Sequence, residues 1–149
     1  MERAYGNFLF SYAHGFTELL RQLVDLWQDS YGPETARRVQ VFHSLAPQFE
    51  VEIFEDLYPR LLRAEDAVRQ RDFEAFYAHA AGEAAKLLEK SAAGGWKLPA
   101  GKDFALEPLL AEVRELWATS AERTKRRAWA IIDELVRDAE TFLASLRNL

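Results

Sequence analysis

Between Leu106 and Leu146 apolar or small side chains return every three or four residues: Leu106, Leu109, Val113, Leu116, Ser120, Thr124, Ala128, Ile131, Leu135, Ala139, Phe142 and Leu146. That spacing fits one face of an α-helix and no β-strand, whose faces alternate at every second residue. At about 1.5 Å per residue an unbroken helix here would be a rod of roughly 60 Å. The middle of the stripe is polar, however. Thr119-Ser120-Ala121-Glu122 matches a capping box, in which a hydroxyl and a glutamate three residues apart satisfy the first N–H groups of a new helix. The segment is therefore either one rod or two helices meeting near residue 119.

The rest of the chain carries the same periodicity in shorter pieces. Tyr5, Phe8, Tyr12, Phe16, Leu19, Leu23 and Leu26 step by three and four, with Leu20 and Trp27 widening the stripe. Asp29, Ser30 and Gly32 close it, and Pro33 suits the first position of a second helix over 34–46, because its fixed φ is already helical and its missing N–H is not needed there. From Glu50 the positions Phe54, Leu57, Leu61, Ala64 and Val68 share a face, with Pro59 on the far side. Asp72 is placed to cap a further helix whose buried face is Phe73, Phe76, Tyr77, Ala80, Ala84 and Leu87. Gly94-Gly95 end it, and 93–104 is the one long loop. Residues 38–43 and 49–53 alternate apolar and polar, so a small β-hairpin at 38–53 is the competing reading there. The pattern as a whole predicts an all-α, single-domain bundle (1–149) of five or six helices with a long C-terminal helix.

Composition narrows the function classes. With 49% hydrophobic residues over 149 positions the chain can bury a core and is not disordered. It has no cysteine, which excludes disulfides, zinc–thiolate sites, iron–sulfur clusters and cysteine nucleophiles. No apolar run approaches the roughly 20 residues that span a bilayer. The opening MERAYGNFLFSYAHG has an apolar patch without a small-residue cleavage site and reads as helix, so a cytoplasmic protein without membrane contact is expected. A net charge of −5 argues against a globally basic nucleic-acid binder and leaves room for a local patch. A single Met and no Cys amid abundant Arg, Glu, Leu and Ala make the composition thermophile-like.

Two constellations could carry chemistry. His14 and His79 each have a glutamate four residues on, Glu18 and Glu83, and an i, i+4 His/Glu pair puts two metal ligands on one helix face. Two such pairs on facing helices could hold a divalent metal ion, the one cofactor the sequence suggests. On helical wheels the two pairs stand at different angles to their cores, His14 roughly 170° and His79 roughly 120° away, which favours solvated histidines. His43, edging an apolar stretch, reads as a packing residue. The second constellation is basic: Arg123, Lys125, Arg126 and Arg127 crowd together with Trp129 just beyond. Trp129 falls roughly 130° from the core stripe, an exposed position from which it could stack on a base, pack on a partner or hold an arginine. Trp96, in the glycine-flanked loop, is the other candidate contact, either plugging into the bundle or meeting a partner.

No G-x-S-x-G elbow, P-loop or Glu-x-x-His repeat occurs. Glu50, Glu52, Glu55 and Asp56 are explained by a helix N-terminus, where the macrodipole favours negative charge. Enzyme activity is therefore unsupported. The leading expectation is a non-catalytic helical interaction protein, a small subunit or adaptor in a larger assembly, bound to a protein partner or to itself. The alternatives are a small subunit contacting the nucleic-acid backbone in a nucleoprotein complex through the basic patch, and a divalent-metal-binding bundle.

Overall fold

The structure, a computed structural model, describes residues 2–45, 52–92 and 106–148. Those residues are all-α, in seven helices: α1 (Glu2–Asp25), α2 (Pro33–Leu45), α3 (Glu52–Leu62), α4 (Glu65–Arg69), α5 (Phe73–Ala92), α6 (Leu106–Thr119) and α7 (Glu122–Leu146).

The first core forms where α1, α3 and α7 meet. From α1 the deepest residues are Leu9, Ala13, Phe16 and Leu19, so its buried meridian runs about one residue to the side of the Tyr5–Phe8–Tyr12 line, which is only partly buried. Ala13 on α1 and Ala139 on α7 present small side chains that let the helices approach, and the rings pack around them. Phe142 stacks on Phe8 at 5.2 Å and lies 4.6 Å from Tyr58, while Phe16 meets Phe54 and Tyr58 edge-on at 5.5 Å each. Pro59 stays on the exposed side of α3, so the helix runs through it with the ring away from the core.

Tyr58 is fully buried, yet its hydroxyl has no hydrogen-bond partner. Burial pushes its ionisation well above the usual tyrosine range, with the Asp138 charge adding to the effect. Leaving a polar group dry and unpaired is unfavourable. Tyr58→Phe is accordingly expected to stabilise the protein by about 1 kcal/mol, seen as a melting temperature raised by roughly 3 °C.

α2 starts as the sequence predicts, at Pro33, and Gly32 supplies the carbonyl for the first helical bond (Ala36 N to Gly32 O, 2.9 Å). Its cap comes from elsewhere. The Glu112 carboxylate on α6 accepts the Gly32 N–H at 3.1 Å and the Thr35 hydroxyl, bringing negative charge to the helix N-terminus across the α2–α6 contact. Thr35 is 1% exposed, so its hydroxyl depends on that carboxylate. Glu112→Ala is expected to lower unfolding free energy by about 1.5 kcal/mol, read from urea denaturation at neutral pH.

The hairpin alternative is corrected by this segment, since 38–45 belong to α2 and α3 begins at Glu52; residues 46–51 lie outside the described ones. Thr35 and Val39, four apart, bury one helical face, and Arg38 pairs with Glu34 at the same spacing, so the helix once started continues through the alternating stretch. His43 Nε2 contacts Asp25 Oδ1 at 3.0 Å, tying the end of α2 to the end of α1.

Two breaks interrupt the long stripes, one that the spacing does not announce and one that decides between the two readings of the C-terminal segment. The stripe from Phe54 to Val68 is interrupted at Arg63-Ala64, separating α3 from the one-turn α4. The C-terminal stripe is two helices rather than one rod, with Ser120-Ala121 between α6 and α7. The capping box does not form. Ala121 is the N-cap residue, and the Thr119 and Ser120 hydroxyls turn back to α6 carbonyls instead. Ser120 Oγ also accepts the Trp27 indole N–H at 2.8 Å, which fixes the break against the end of α1. Asp72 does cap α5, its Oδ1 accepting the Ala75 N–H at 3.1 Å.

Candidate contact cleft at the α6–α7 break

The break between α6 and α7 sits over a second core. Trp27, Val68, Trp117, Ala128, Trp129, Ile132 and Val136 are its buried members, with Phe73 and Phe76 packed against them. Trp117 stacks face to face on Phe73 (4.2 Å, 6° between planes) and meets Trp129 edge-on at 5.4 Å; Phe76 also meets Trp129 edge-on, at 6.0 Å. Such pairs each add about 1 kcal/mol to the area they bury.

Outside these rings lies an open cleft of about 570 Å³, lined by Phe73, Trp117, Trp129, Arg71, Lys125 and Arg126 together with the acids Glu122 and Asp133. Its volume falls within the range typical of small-ligand pockets, about 300–1,000 Å³. Arg71 roofs it. The guanidinium lies 5.3 Å from the Trp129 ring centre and grips both Asp133 oxygens at 2.7 Å. Arg71 has φ +55° because it ends α4 in a Schellman motif, with Asp72 N bonded to Ala67 O at 2.9 Å and Arg71 N to Val68 O at 3.1 Å; this left-handed backbone costs a non-glycine residue about 1 kcal/mol. The paired contacts offset that strain. The Arg71 hydrogen bond holds the Asp133 carboxyl below the usual range, and Asp133 in turn raises the arginine. Lys125 Nζ lies 6.0 Å from the Trp117 ring and 3.9 Å from Glu122.

The basic cluster is thus divided. Lys125 and Arg126 line the cleft, Arg126 as an exposed residue, while Arg123 and Arg127 are exposed on the same two turns of α7 and do not line it. Trp129 corrects the sequence reading: it is 7% exposed, a core residue rather than a free surface ring. A wheel angle taken from a single stripe misplaces it, because α7 has two packed sides, one against α1 and α3 and another against the α4–α5 region. Trp96 lies outside the described residues.

The two His/Glu pairs do not come together. His14 is exposed, its ring near Phe10 at 6.4 Å, and Glu18 pairs with Arg21, whose hydrogen bond keeps that carboxyl below the usual range. His79 and Glu83 both turn to Arg60 on α3. His79 Nε2 is 2.8 Å from the Arg60 carbonyl, a geometry in which Nε2 carries the hydrogen and donates. Glu83 accepts from the Arg60 guanidinium at 2.5 Å, with Lys86 at 3.6 Å and Arg63 at 4.0 Å. That hydrogen bond, ahead of the neighbouring charges, holds Glu83 below the usual carboxylate range. Among the described residues no three His, Asp or Glu side chains are grouped to hold a metal ion.

Sequence reasoning missed several residues of the cleft. Trp117 appears in no stripe because it is flanked by the Leu116 line, and Arg71 is legible only as a charge without a place. A signal was present in Trp129 and Asp133, four apart on one helix, which brings an aromatic face and a carboxylate to a single arginine. Phe10, 61% exposed on α1, was likewise not singled out.

Among the described residues no helix is long and apolar enough to cross a membrane. Compared with protein-family models, with curated proteins and with solved structures, the chain matches none.

Proposed function

We propose that this chain is a non-catalytic helical interaction protein, a small subunit or adaptor, and that it meets its partner on the α7 flank beside the α6–α7 cleft. The observation that supports the reading is the distribution of ion pairs. Inside the cleft Arg71 is committed to Asp133 and Lys125 lies beside Glu122, whereas Arg123, Arg126 and Arg127 are exposed on α7 and have no carboxylate partner among the described residues. Most of the other arginines of the described chain are paired, among them Arg21, Arg38, Arg60, Arg69, Arg71 and Arg114. A carboxylate held ionised by a two-pronged arginine suits a rigid wall better than an acid–base group, which supports contact rather than catalysis.

The same three arginines also favour a nucleic-acid-backbone contact as second reading, now without the base-stacking role for Trp129. Native mass spectrometry of the untagged chain recovered from its own cells, with the 260/280 nm absorbance ratio alongside, tests both. A complex heavier than the 17.1 kDa chain and free of nucleic acid is the expected result. A bare 17.1 kDa monomer at every concentration would retire the interaction reading, and co-purifying nucleic acid would replace it with the second.

A further inference from the structure

We infer that the partner surface recognised by α7 is an acidic peptide segment, with an apolar side chain entering the cleft and carboxylates three or four residues apart meeting Arg123, Arg126 and Arg127. The inference rests on the interaction reading above and names the chemistry of the partner. Between 122 and 130 the chain carries four cations and one acid, in a protein whose net charge is −5. This is a locally inverted charge on an otherwise acidic molecule, and it complements an acidic partner. The arginines are spaced three and four apart, so their guanidinium forks line one side of two helical turns. That spacing is the one at which carboxylates recur along a facing helix.

The neighbouring residues favour a peptide over a phosphate backbone. Trp129 is covered by Arg71 and by the surrounding rings, and Trp117 has one face on Phe73, so neither offers an open platform for a base. Glu122 at one end of the basic strip and exposed Glu134 at the other repel a continuous string of phosphates, whereas discrete side-chain carboxylates can avoid them. Next to the strip, the open cleft of about 570 Å³ presents ring edges between the charged side chains of Arg71, Lys125 and Arg126, with room for one aliphatic side chain.

The probe is a fluorescein-labelled, helix-forming synthetic peptide of about 15 residues with glutamates at i, i+3 and i+4 and one leucine between them, followed by anisotropy with the full-length protein. Binding is expected to weaken at least about tenfold for the combined variant Arg123→Glu, Arg126→Glu, Arg127→Glu, and about threefold for Arg126→Ala alone, with thermal melts unchanged. Replacing the peptide's leucine with glycine is expected to weaken it about tenfold, and raising salt from about 50 to about 300 mM to weaken it further. Failure of the acidic peptide to bind at low salt, equal binding by the triple variant or by a lysine version of the peptide, or tighter binding of a DNA duplex, would each overturn the inference. If the native complex also survives the triple variant, the interaction reading stands while this one falls. If the native complex is absent, the interaction reading falls with it.

Discussion

Trp129→Ala is expected to destabilise the protein by about 4 kcal/mol and to lower its melting temperature by roughly 12 °C. The sequence alone would have made it a clean contact variant. In the structure the indole is 7% exposed, and removing it leaves a hole bounded by Trp117 and Phe76 while taking the aromatic face from under Arg71. Core aromatic truncations of this kind typically cost about 3–5 kcal/mol, and loss of the edge-on ring pairs adds to the transfer term. Arg126→Glu, only a few positions away on an exposed site, is expected to change stability by no more than about 0.5 kcal/mol. Differential scanning calorimetry of the two variants separates the roles. Equal, small shifts for both would mean that the second core does not depend on Trp129. A large shift for Trp129→Ala warns that any loss of partner binding in that variant reports unfolding.

The fold was largely legible because its helices are amphipathic and its breakers cluster between them. Pro33 and Asp72 announced two helix starts through local chemistry alone, and both act as their residue types require. Where an end depends on a distant residue, the sequence misled. The α2 cap is Glu112, far along the chain, and nothing near Gly32 signals it. Thr119 to Glu122 looks like a capping box, but Ser120 is recruited by Trp27 from the end of α1, and the hydroxyls face the preceding helix. The cleft was half legible for the same reason. Lys125 and Arg126 could be read from the charge run, whereas Arg71, Phe73 and Trp117 join them only through the packing of α4, α5 and α6 against α7, a tertiary fact with no local periodicity.

Arg60→Ala is expected to cost about 3 kcal/mol, more than its place on a partly exposed helix would suggest. Arg60 is the single α3 residue that receives both members of the α5 His/Glu pair, His79 on its carbonyl and Glu83 on its guanidinium. Truncation keeps the carbonyl and removes the guanidinium, so Glu83, 8% exposed, is left with Lys86 at 3.6 Å and Arg63 at 4.0 Å. Removing one partner of a buried pair costs more than the pair contributes, because the remaining charge keeps its desolvation penalty. Replacing both, Arg60→Met with Glu83→Leu, is therefore expected to recover most of the loss. The pH dependence gives an independent reading. The Glu83 carboxyl titrates below its ordinary 4.5 in the folded protein, so the stabilisation it supplies is present above that pH and is lost as pH falls through the lowered folded value. Arg60→Ala should flatten this component of the acid limb while leaving the one due to Asp133, which Arg71 lowers in the same direction. Urea denaturation of wild type, single and double variants between about pH 3 and 7 measures it. An acid limb unchanged by Arg60→Ala would show that Glu83 is held by Lys86 and Arg63, and that the α3–α5 contact does not turn on this one arginine.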